Sequence, residues 1–407
     1  MSKKPSRTQL ANKLISCAIP GGTFEHEDET YRGFGCGISI PYSTATEYKE
    51  ALEGLFAEEK SIPQTYTLES FEKEVASFIA PYVLDKTETE TSAVTAFLKG
   101  ISSRPVVVHD VFRPIAGVTV TRANEPVVLG PFTIYNTASH AAHLETELNG
   151  RFTKFLTENP TTYLIGVKVS AREVAKALEI GDVLFERFER AIRFMIGRPK
   201  SSVDVGILNH SGFTRNQAFI FTDELAASST QHKGARMPLA IDINYLVNPQ
   251  IGFNAIWGMF AIASPSEMNQ RVLLAIDWIG ESYGEQVASS AFIKAAIALE
   301  ILFNEHKSEF LTKGIAAQIS ESVALLLGSD VHSKILLEKE LKRLYGIRSG
   351  IAHAGKSDIK ASDLVSIQNL ARQSVIRVLK DPAFKDIDTA SKMTILFKKL
   401  KYGGSAT

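Results

Sequence analysis

The chain has 407 residues, which is enough for two or three domains that each bury a core. Its composition, 44% hydrophobic and 22% charged, is typical of a globular protein, and its two cysteines, Cys17 and Cys36, exclude a disulfide framework. The first residues lack the uninterrupted apolar run of an export signal, and the longest apolar stretch, residues 253–263, is too short to span a bilayer. We therefore expect a cytoplasmic protein without a membrane segment.

The net charge of the chain is zero, but the charges are unevenly distributed. Residues 331–407 contain 15 Lys and Arg against 7 Asp and Glu, so this end has a charge of +8 and the rest of the chain −8. A basic end favours a polyanion such as RNA as a partner. A solvated basic helix face explains the same charge without a partner, and charge alone does not decide between these explanations.

Residues 1–265 alternate between helical and strand patterns. Apolar residues at helical spacing predict helices over residues 46–59, 68–83, 140–156 and 172–196. Runs rich in Val, Ile, Thr and Phe predict strands over residues 105–111, 117–121, 127–135, 162–169, 203–208, 218–222 and 239–247. This order predicts an α+β domain with a mixed sheet.

After Pro265 the predicted strands stop. Helical spacing covers residues 266–283, 289–303, 309–327, 331–345 and 362–380, and a short basic helix covers residues 389–402. Ser266 has the side chain of an N-cap for the first of these helices. The predicted fold class is therefore α+β, with a mixed α/β domain over residues 1–265 and an all-helical bundle over residues 266–407.

Two motifs overlap in residues 341–357, LKRLYGIRSGIAHAGKS. Gly350, Gly355, Lys356 and Ser357 match the phosphate-binding P-loop pattern G-x-x-x-x-G-K-S. A P-loop follows a buried strand and opens a helix, so that backbone N–H groups hold the phosphates. Here the preceding residues predict an amphipathic helix, and no strand ending in Asp follows. We therefore do not expect ATP to bind here.

The second motif is an R-x4-H pair, Arg348 and His353. Residues five apart on a continuous helix are separated by about 140°, so this pair converges only if the helix ends or bends between its members. Gly346, Gly350 and Gly355 divide the segment and permit such a bend. A helix end in which Arg348 forms an ion pair and His353 binds a backbone group explains the same residues equally well.

Two other candidate sites have little support. A second R-x4-H match, Arg104 and His109, lies in a predicted strand, where residues five apart point to opposite faces. His140, His143 and Glu147 share one face of a predicted helix, but nothing else in the sequence has the spacing of a metal site. We therefore predict neither a metal nor a cofactor.

Residues 266–380 resemble the HEPN superfamily, in particular its ApeA-like branch in prokaryotic proteins. The resemblance rests on RVLLAIDWIGESY, AFIKAAIALEILF, KGIAAQISESVALLLG and EKELKRLYGIRSGIAHAG in this order, and LYGIRSGIAHAG is the most telling string. It implies a helical domain that forms a homodimer and places two R-x4-6-H motifs in a shared cleft. Many such domains are metal-independent endoribonucleases that act as toxins or in defence against phage, whereas others are inactive and bind RNA or assemble complexes.

The residues of the motif suit RNA cleavage without a metal. His353 can act as a general acid or base, because histidine titrates near neutral pH. Arg348 can hold a phosphate with two hydrogen bonds and stabilise the developing charge. Active family members often have Asn or Asp after the arginine, whereas this chain has the shorter polar residue Ser349. Glu300 lies in the apolar run AAIALEILF and either pairs with Arg348 and orients it or lies at the edge of the bundle.

The leading hypothesis is a cytoplasmic, homodimeric, metal-independent endoribonuclease of a prokaryotic defence or toxin type, with Lys356 and Tyr345 as candidate RNA contacts. The resemblance does not extend to residues 1–265, which would bind a phage-derived or regulatory trigger or select the target. The alternative is a non-catalytic HEPN module that binds RNA or a nucleotide and assembles a larger complex.

Overall fold

The computed structural model divides into two compact units. The first comprises residues 1–111 and 168–183, and the second comprises residues 112–167 and 184–407. For residues 215–221 and 226–232 and for Glu147, the description is limited to the backbone. The structure describes residues 4–21, 30–121, 125–147, 150, 153, 157, 161–197, 203, 205–207, 215–221, 226–232, 237–304, 314–355 and 357–403.

The first unit combines helices with a small sheet. In chain order it contains α1 (Arg7–Cys17), β1 (Ile19–Pro20), β2 (Thr30–Phe34), β3 (Ile38–Pro41), α2 (Ala45–Phe56), α3 (Ser61–Thr65), α4 (Leu68–Asp85) and α5 (Thr91–Ser102). Strands β1 and β2 both pair antiparallel with β3. An apolar core that includes Leu14, Tyr48 and Phe71 joins these helices to the sheet.

The middle of the chain contains most of the strands. It forms β4 (Val107–Ala116), β5 (Val118–Thr119), β6 (Val127–Leu129), β7 (Phe132–Asn136), α6 (Ala141–Glu147), β8 (Tyr163–Ala171), α7 (Val174–Ile196), β9 (Gly206–Ile207), β10 (Arg215–Phe221), β11 (Ala226–His232), β12 (Leu239–Ala240) and α8 (Phe253–Phe260). Five strands form a sheet in the order β6-β7-β8-β4-β9, whereas β10 pairs with β11 and β12 pairs with β5.

Two of the predicted strands are wrong in detail. The strand predicted over residues 127–135 is a hairpin of β6 and β7, in which Leu129 lies opposite Phe132. Gly130 turns the chain with a φ of 60°, a conformation that favours glycine. The strand predicted over residues 239–247 stops after Ala240, and a 3-10 turn follows at Asn244–Val247.

From Glu267 onwards, the described elements are helical. They are α9 (Glu267–Gly284), α10 (Ala288–Phe303), α11 (Ile315–Leu327), α12 (Val331–Ala354), α13 (Ala361–Lys380), α14 (Ala390–Lys401) and a 3-10 turn at Pro382–Phe384. The predicted N-cap is confirmed, because the backbone N–H of Asn269 donates to the Ser266 hydroxyl at 3.1 Å. Helix α10 is central, since it packs against α9, α11, α12 and α13.

The predicted α+β fold class is confirmed, with an N-terminal mixed region and a C-terminal helical region. The predicted boundary near residue 265 does not separate the two compact units, because residues on both sides of it belong to the second unit. The division into domains over residues 1–265 and 266–407 therefore stays a prediction. None of the helices in the described part of the chain is long and apolar enough to cross a membrane.

Candidate functional site

The helix that carries the R-x4-H pair runs without a break through both of its residues. Helix α12 contains Gly346 and Gly350 in its interior and ends only at Gly355, which has a left-handed φ of 61°. The bend between Arg348 and His353 that the glycines would permit is therefore not present. Glycine lowers the stability of a helix by about 1 kcal/mol but does not break it unless another conformation is favoured more strongly.

The continuous helix separates the two candidate catalytic side chains. Their helical positions differ by about 140°, so Arg348 and His353 of one chain project in different directions. They do not converge on one phosphate within a single chain. Any site that uses both residues at once needs a second copy of the chain or a different conformation of α12.

Arg348 is held by Glu300 of the neighbouring helix α10. Its Nε donates to Oε1 of Glu300 at 3.1 Å, and its Nη2 donates to Oε2 at 3.3 Å. The ion pair is partly exposed, because 30% of the Arg348 side chain and 20% of the Glu300 side chain are accessible to solvent. Of the two alternatives for Glu300, the structure shows the pair with Arg348. The guanidinium is thus oriented, and its Nη1 makes no hydrogen bond within the described part of the chain.

Tyr345 lies in the packing between helices rather than at a surface. The residue is 6% exposed, and its hydroxyl donates to the backbone carbonyl of Ala296 at 3.3 Å. Burial, together with the nearby charge of Glu300, raises the pKa of the Tyr345 hydroxyl well above its ordinary value. Because the ring is buried, the prediction of Tyr345 as an RNA contact is not supported.

His353 and Ser349 lie together on the exposed side of α12. Both residues are exposed, and their positions four apart place them about 40° from each other around the helix. The imidazole of His353 forms no hydrogen bond or ion pair with another described residue, so it does not bind a backbone group as the alternative explanation requires. His353 is therefore accessible to a substrate or to a second chain.

The remaining residues of the motif stretch do not form a nucleotide site. Residues 350–354 belong to α12, and Gly355 is its C-cap, whereas a P-loop needs a strand followed by a loop and a helix. Lys356, the other predicted RNA contact, lies outside the described residues.

The second R-x4-H match has structural partners in the first unit. Arg104 donates to both carboxylate oxygens of Glu74, at 2.7 and 3.0 Å, and to the hydroxyl of Tyr66 at 3.1 Å. The Nε2 of His109 lies 3.3 Å from the backbone carbonyl of Ala171. These contacts account for both side chains without a substrate.

The histidines considered as metal ligands also lack a metal-binding arrangement. His140 is buried and precedes α6, and its Nδ1 accepts a hydrogen bond from the backbone N–H of Asn136 at 3.0 Å. His143 is exposed, and the side chain of Glu147 lies outside the described part. Across the described residues, no three His, Cys, Asp or Glu side chains are grouped as metal ligands would be.

A charged cluster that the sequence interpretation missed links α7, α9 and α10 in the second unit. Arg187 pairs with the buried Asp277 at 2.9 Å, and burial raises the pKa of this carboxyl group to about 6. The further ion pairs, Arg190–Glu281, Lys294–Glu281 and Lys294–Glu285, measure 3.0, 3.5 and 2.9 Å. The four-residue spacing of Asp277, Glu281 and Glu285 could have revealed the cluster, because the first two share one face of α9 and the third is its C-cap. Mutual pairing indicates a structural role.

No family model, curated protein or solved structure matches the chain. The resemblance to the HEPN superfamily thus stays a prediction that rests on the strings within residues 266–380. The arrangement of Arg348, Glu300 and His353 is the structural basis for a functional proposal.

Proposed function

We propose that the chain is a metal-independent endoribonuclease whose active site is shared between two copies of the chain. The observation that carries this proposal is the geometry of α12, in which Arg348 is oriented by Glu300 while His353 is exposed in another direction. A helix of this shape supplies both groups to one phosphate only when Arg348 comes from one copy and His353 from the other. The symmetry of a homodimer then generates two equivalent sites.

The chemistry follows from the two side chains. The 2′-oxygen of a ribose attacks the adjacent phosphorus and loses its proton, while the bond to the 5′-oxygen breaks and that oxygen gains a proton. His353 serves as the base or the acid in this exchange. The guanidinium of Arg348 hydrogen-bonds to the phosphoryl oxygens, on which negative charge develops. Ser349 lies beside His353 and can donate a hydrogen bond to the same phosphate.

The wider proposal is a cytoplasmic enzyme of a prokaryotic defence or toxin type. The charge of +8 over residues 331–407 supports RNA as its substrate, because Lys and Arg attract the phosphate backbone. Residues 1–265 would receive a phage-derived or regulatory trigger.

Subunit complementation tests the shared site. Purified protein is incubated with total RNA and EDTA, and Arg348→Ala and His353→Ala should each abolish cleavage. Random exchange between equal amounts of the two inactive variants should restore about a quarter of the wild-type activity, because half of the dimers carry one intact site of two. His332→Ala, an exposed histidine of the same helix, and Arg377→Ala, an exposed arginine of α13, are the matched controls.

Three outcomes of this experiment are informative. Restored activity in the mixture supports the shared site. Loss of activity in each variant without restoration places both residues in one chain and contradicts the dimer geometry. Cleavage that neither substitution changes rejects the catalytic assignment altogether.

The alternative function, a non-catalytic module that binds RNA or a nucleotide, is favoured by one observation. The carboxylate of Glu300 neutralises Arg348 and occupies two of its donors, which a phosphate would otherwise use. Such a pair weakens phosphate binding as readily as it orients a catalytic arginine. In an enzyme Glu300 would orient Arg348, and in a binding module it would weaken the binding of phosphate. Removal of the Glu300 charge therefore has different effects in the two cases.

Glu300→Gln separates the two functions. Removing the charge should tighten binding of single-stranded RNA and increase the slope of log affinity against log salt by up to about 0.7, because one more cation faces the phosphates. Binding is measured by fluorescence anisotropy in the His353→Ala background. An enzyme should in addition lose cleavage in the Glu300→Gln single variant, since the guanidinium is no longer oriented. A binding module should show tighter binding and no cleavage in any variant, wild type included.

A further inference from the structure

The second unit contains a groove of about 530 Å³ between α11 and α14, and no residue of the proposed active site lines it. Its apolar lining comes from Leu302, Phe303, Leu325, Met393 and Phe397. The rings of Phe303 and Phe397 meet edge to face, with their centroids 5.8 Å apart. The volume and the apolar lining fall within the range of pockets that bind small molecules.

The rim of this groove is mainly cationic. Lys398 and Lys401 of α14 and Arg271 of α9 line it, against one acidic side chain within the described lining, Glu321 of α11. Lys401 and Glu321 connect the two walls through an ion pair of 2.6 Å. Lys398 is exposed and forms no ion pair with another described residue. Among the described residues, the rim thus offers one ammonium group without an ion-pair partner, that of Lys398, and a second one, that of Lys401, which can exchange its carboxylate partner for a ligand.

The face that α14 turns to the groove is set by its sequence. Thr394, Lys398 and Lys401 are four and three residues apart, so they lie on one side of the helix. Met393 and Phe397 lie beside them and are buried. Lys399 follows Lys398 directly, but it projects about 100° away around the helix and does not line the groove.

We propose that this groove binds an amphiphilic anion, an apolar body that carries one carboxylate or phosphate group. The anionic group pairs with Lys398 and draws Lys401 away from Glu321, while the apolar body packs along Leu325 and Ile395, next to the buried Met393. Charge complementarity selects the ligand class, because a cationic amphiphile is repelled by Lys398 and a neutral one gains only the apolar contact. The anion remains at the rim, since an unpaired charge on the apolar lining would be strongly destabilising.

Methyl NMR on the full chain tests this site. The protein has six methionines, and the methyl signal of Met393 can be assigned with a Met393→Leu variant. Decanoate and decyl phosphate are titrated as the carboxylate and phosphate probes. Decyl glucoside and decyltrimethylammonium are the neutral and cationic controls, and each compound stays below its micelle concentration. We expect a saturable shift of the Met393 signal with one or both anions, weaker binding of the neutral control and no binding of the cationic control, and the anion that binds more tightly identifies the head group.

Two adjacent lysines provide the matched variants. Lys398→Ala should weaken binding about fivefold, in line with the loss of one partly exposed charge contact, and Lys398→Glu should abolish it. Lys399→Ala should leave the affinity within about twofold, because this side chain is outside the groove. The proposal is overturned if neither anion shifts the Met393 signal, if the neutral control binds as tightly, or if the Lys399 variant weakens binding as much as the Lys398 variant.

Discussion

Replacement of Gly346 by alanine tests whether α12 is one continuous helix. Gly346 is exposed in the helix interior, and no atom from outside its own helical turn lies within 4 Å of the position that a new Cβ would take. Alanine is more favourable than glycine in an exposed helix by about 1 kcal/mol, because it restricts the unfolded chain and does not disturb the folded one. We therefore expect Gly346→Ala to raise the free energy of unfolding by about 0.5–1 kcal/mol.

Amide hydrogen exchange is the more direct assay, because a chain with two compact units need not unfold in a single transition. Where exchange follows opening of α12, the amides around Gly346 should exchange about two- to fivefold more slowly in the variant, which corresponds to the expected change in free energy. Urea denaturation of the same samples gives the global effect. Faster exchange around Gly346, or a loss of stability, would show that this glycine adopts a conformation that alanine cannot, and α12 would then not be a continuous helix at this position.

Three further substitutions test the packing of the second unit. Gly280→Ala should lower the free energy of unfolding by about 2–4 kcal/mol, because the new Cβ would lie 2.2 Å from the carbonyl oxygen of Arg190. Urea denaturation measures this change. An unchanged free energy of unfolding would contradict the close approach of α7 and α9. Asp277→Asn should flatten the dependence of stability on pH. Burial raises the pKa of Asp277 from 3.8 to about 6, so the folded state binds the proton more tightly than the unfolded state does. The free energy of unfolding of the wild type should therefore fall by up to about 3 kcal/mol as the pH rises from 4 to 6. If the free energy of unfolding changes with pH equally in the wild type and in Asp277→Asn, this reasoning is refuted. Arg372→Ala should destabilise the chain by about 2–3 kcal/mol, because the guanidinium of Arg372 donates to two backbone carbonyls at the end of α7, both at 2.8 Å. Arg377 forms only an exposed ion pair, so the control Arg377→Ala should change the free energy of unfolding by less than about 0.5 kcal/mol.

Amphipathic periodicity was sufficient to locate most helices of the C-terminal region. Helices α9, α10 and α13 begin and end within one residue of the predicted bounds, because each has an apolar face at helical spacing, and the N-cap at Ser266 is a local hydrogen bond. The predicted start of α11 at residue 309 lies outside the described residues, and α12 extends beyond its predicted end at residue 345 to Ala354. Its glycines were interpreted as positions where the chain bends, but α12 contains no proline, and of these glycines only Gly355 adopts a left-handed conformation.

The errors elsewhere arise from contacts between distant residues. Gly130 divides a strand-like run into a hairpin, and the carbonyl oxygen of Trp257 would lie 2.4 Å from a Cβ at this position. The sequence does not show that these residues approach each other, because they are far apart along the chain. The same holds for Glu300 and Arg348. Both were candidates from the sequence, but whether they pair depends on how α10 packs against α12.

The continuity of α12 changes what ribonuclease activity would require of this chain. A bent helix could bring Arg348 and His353 to one phosphate, and each chain would then act alone at any concentration. With Arg348 fixed by two hydrogen bonds to Glu300 and His353 about 140° away, an enzyme of the proposed kind would have a complete site only as a dimer. Activity per chain should therefore fall on dilution below the dissociation constant of the dimer, whereas RNA binding through Arg348 alone should not. Separate chains of such an enzyme would be inactive, and activity would begin only when two copies associate.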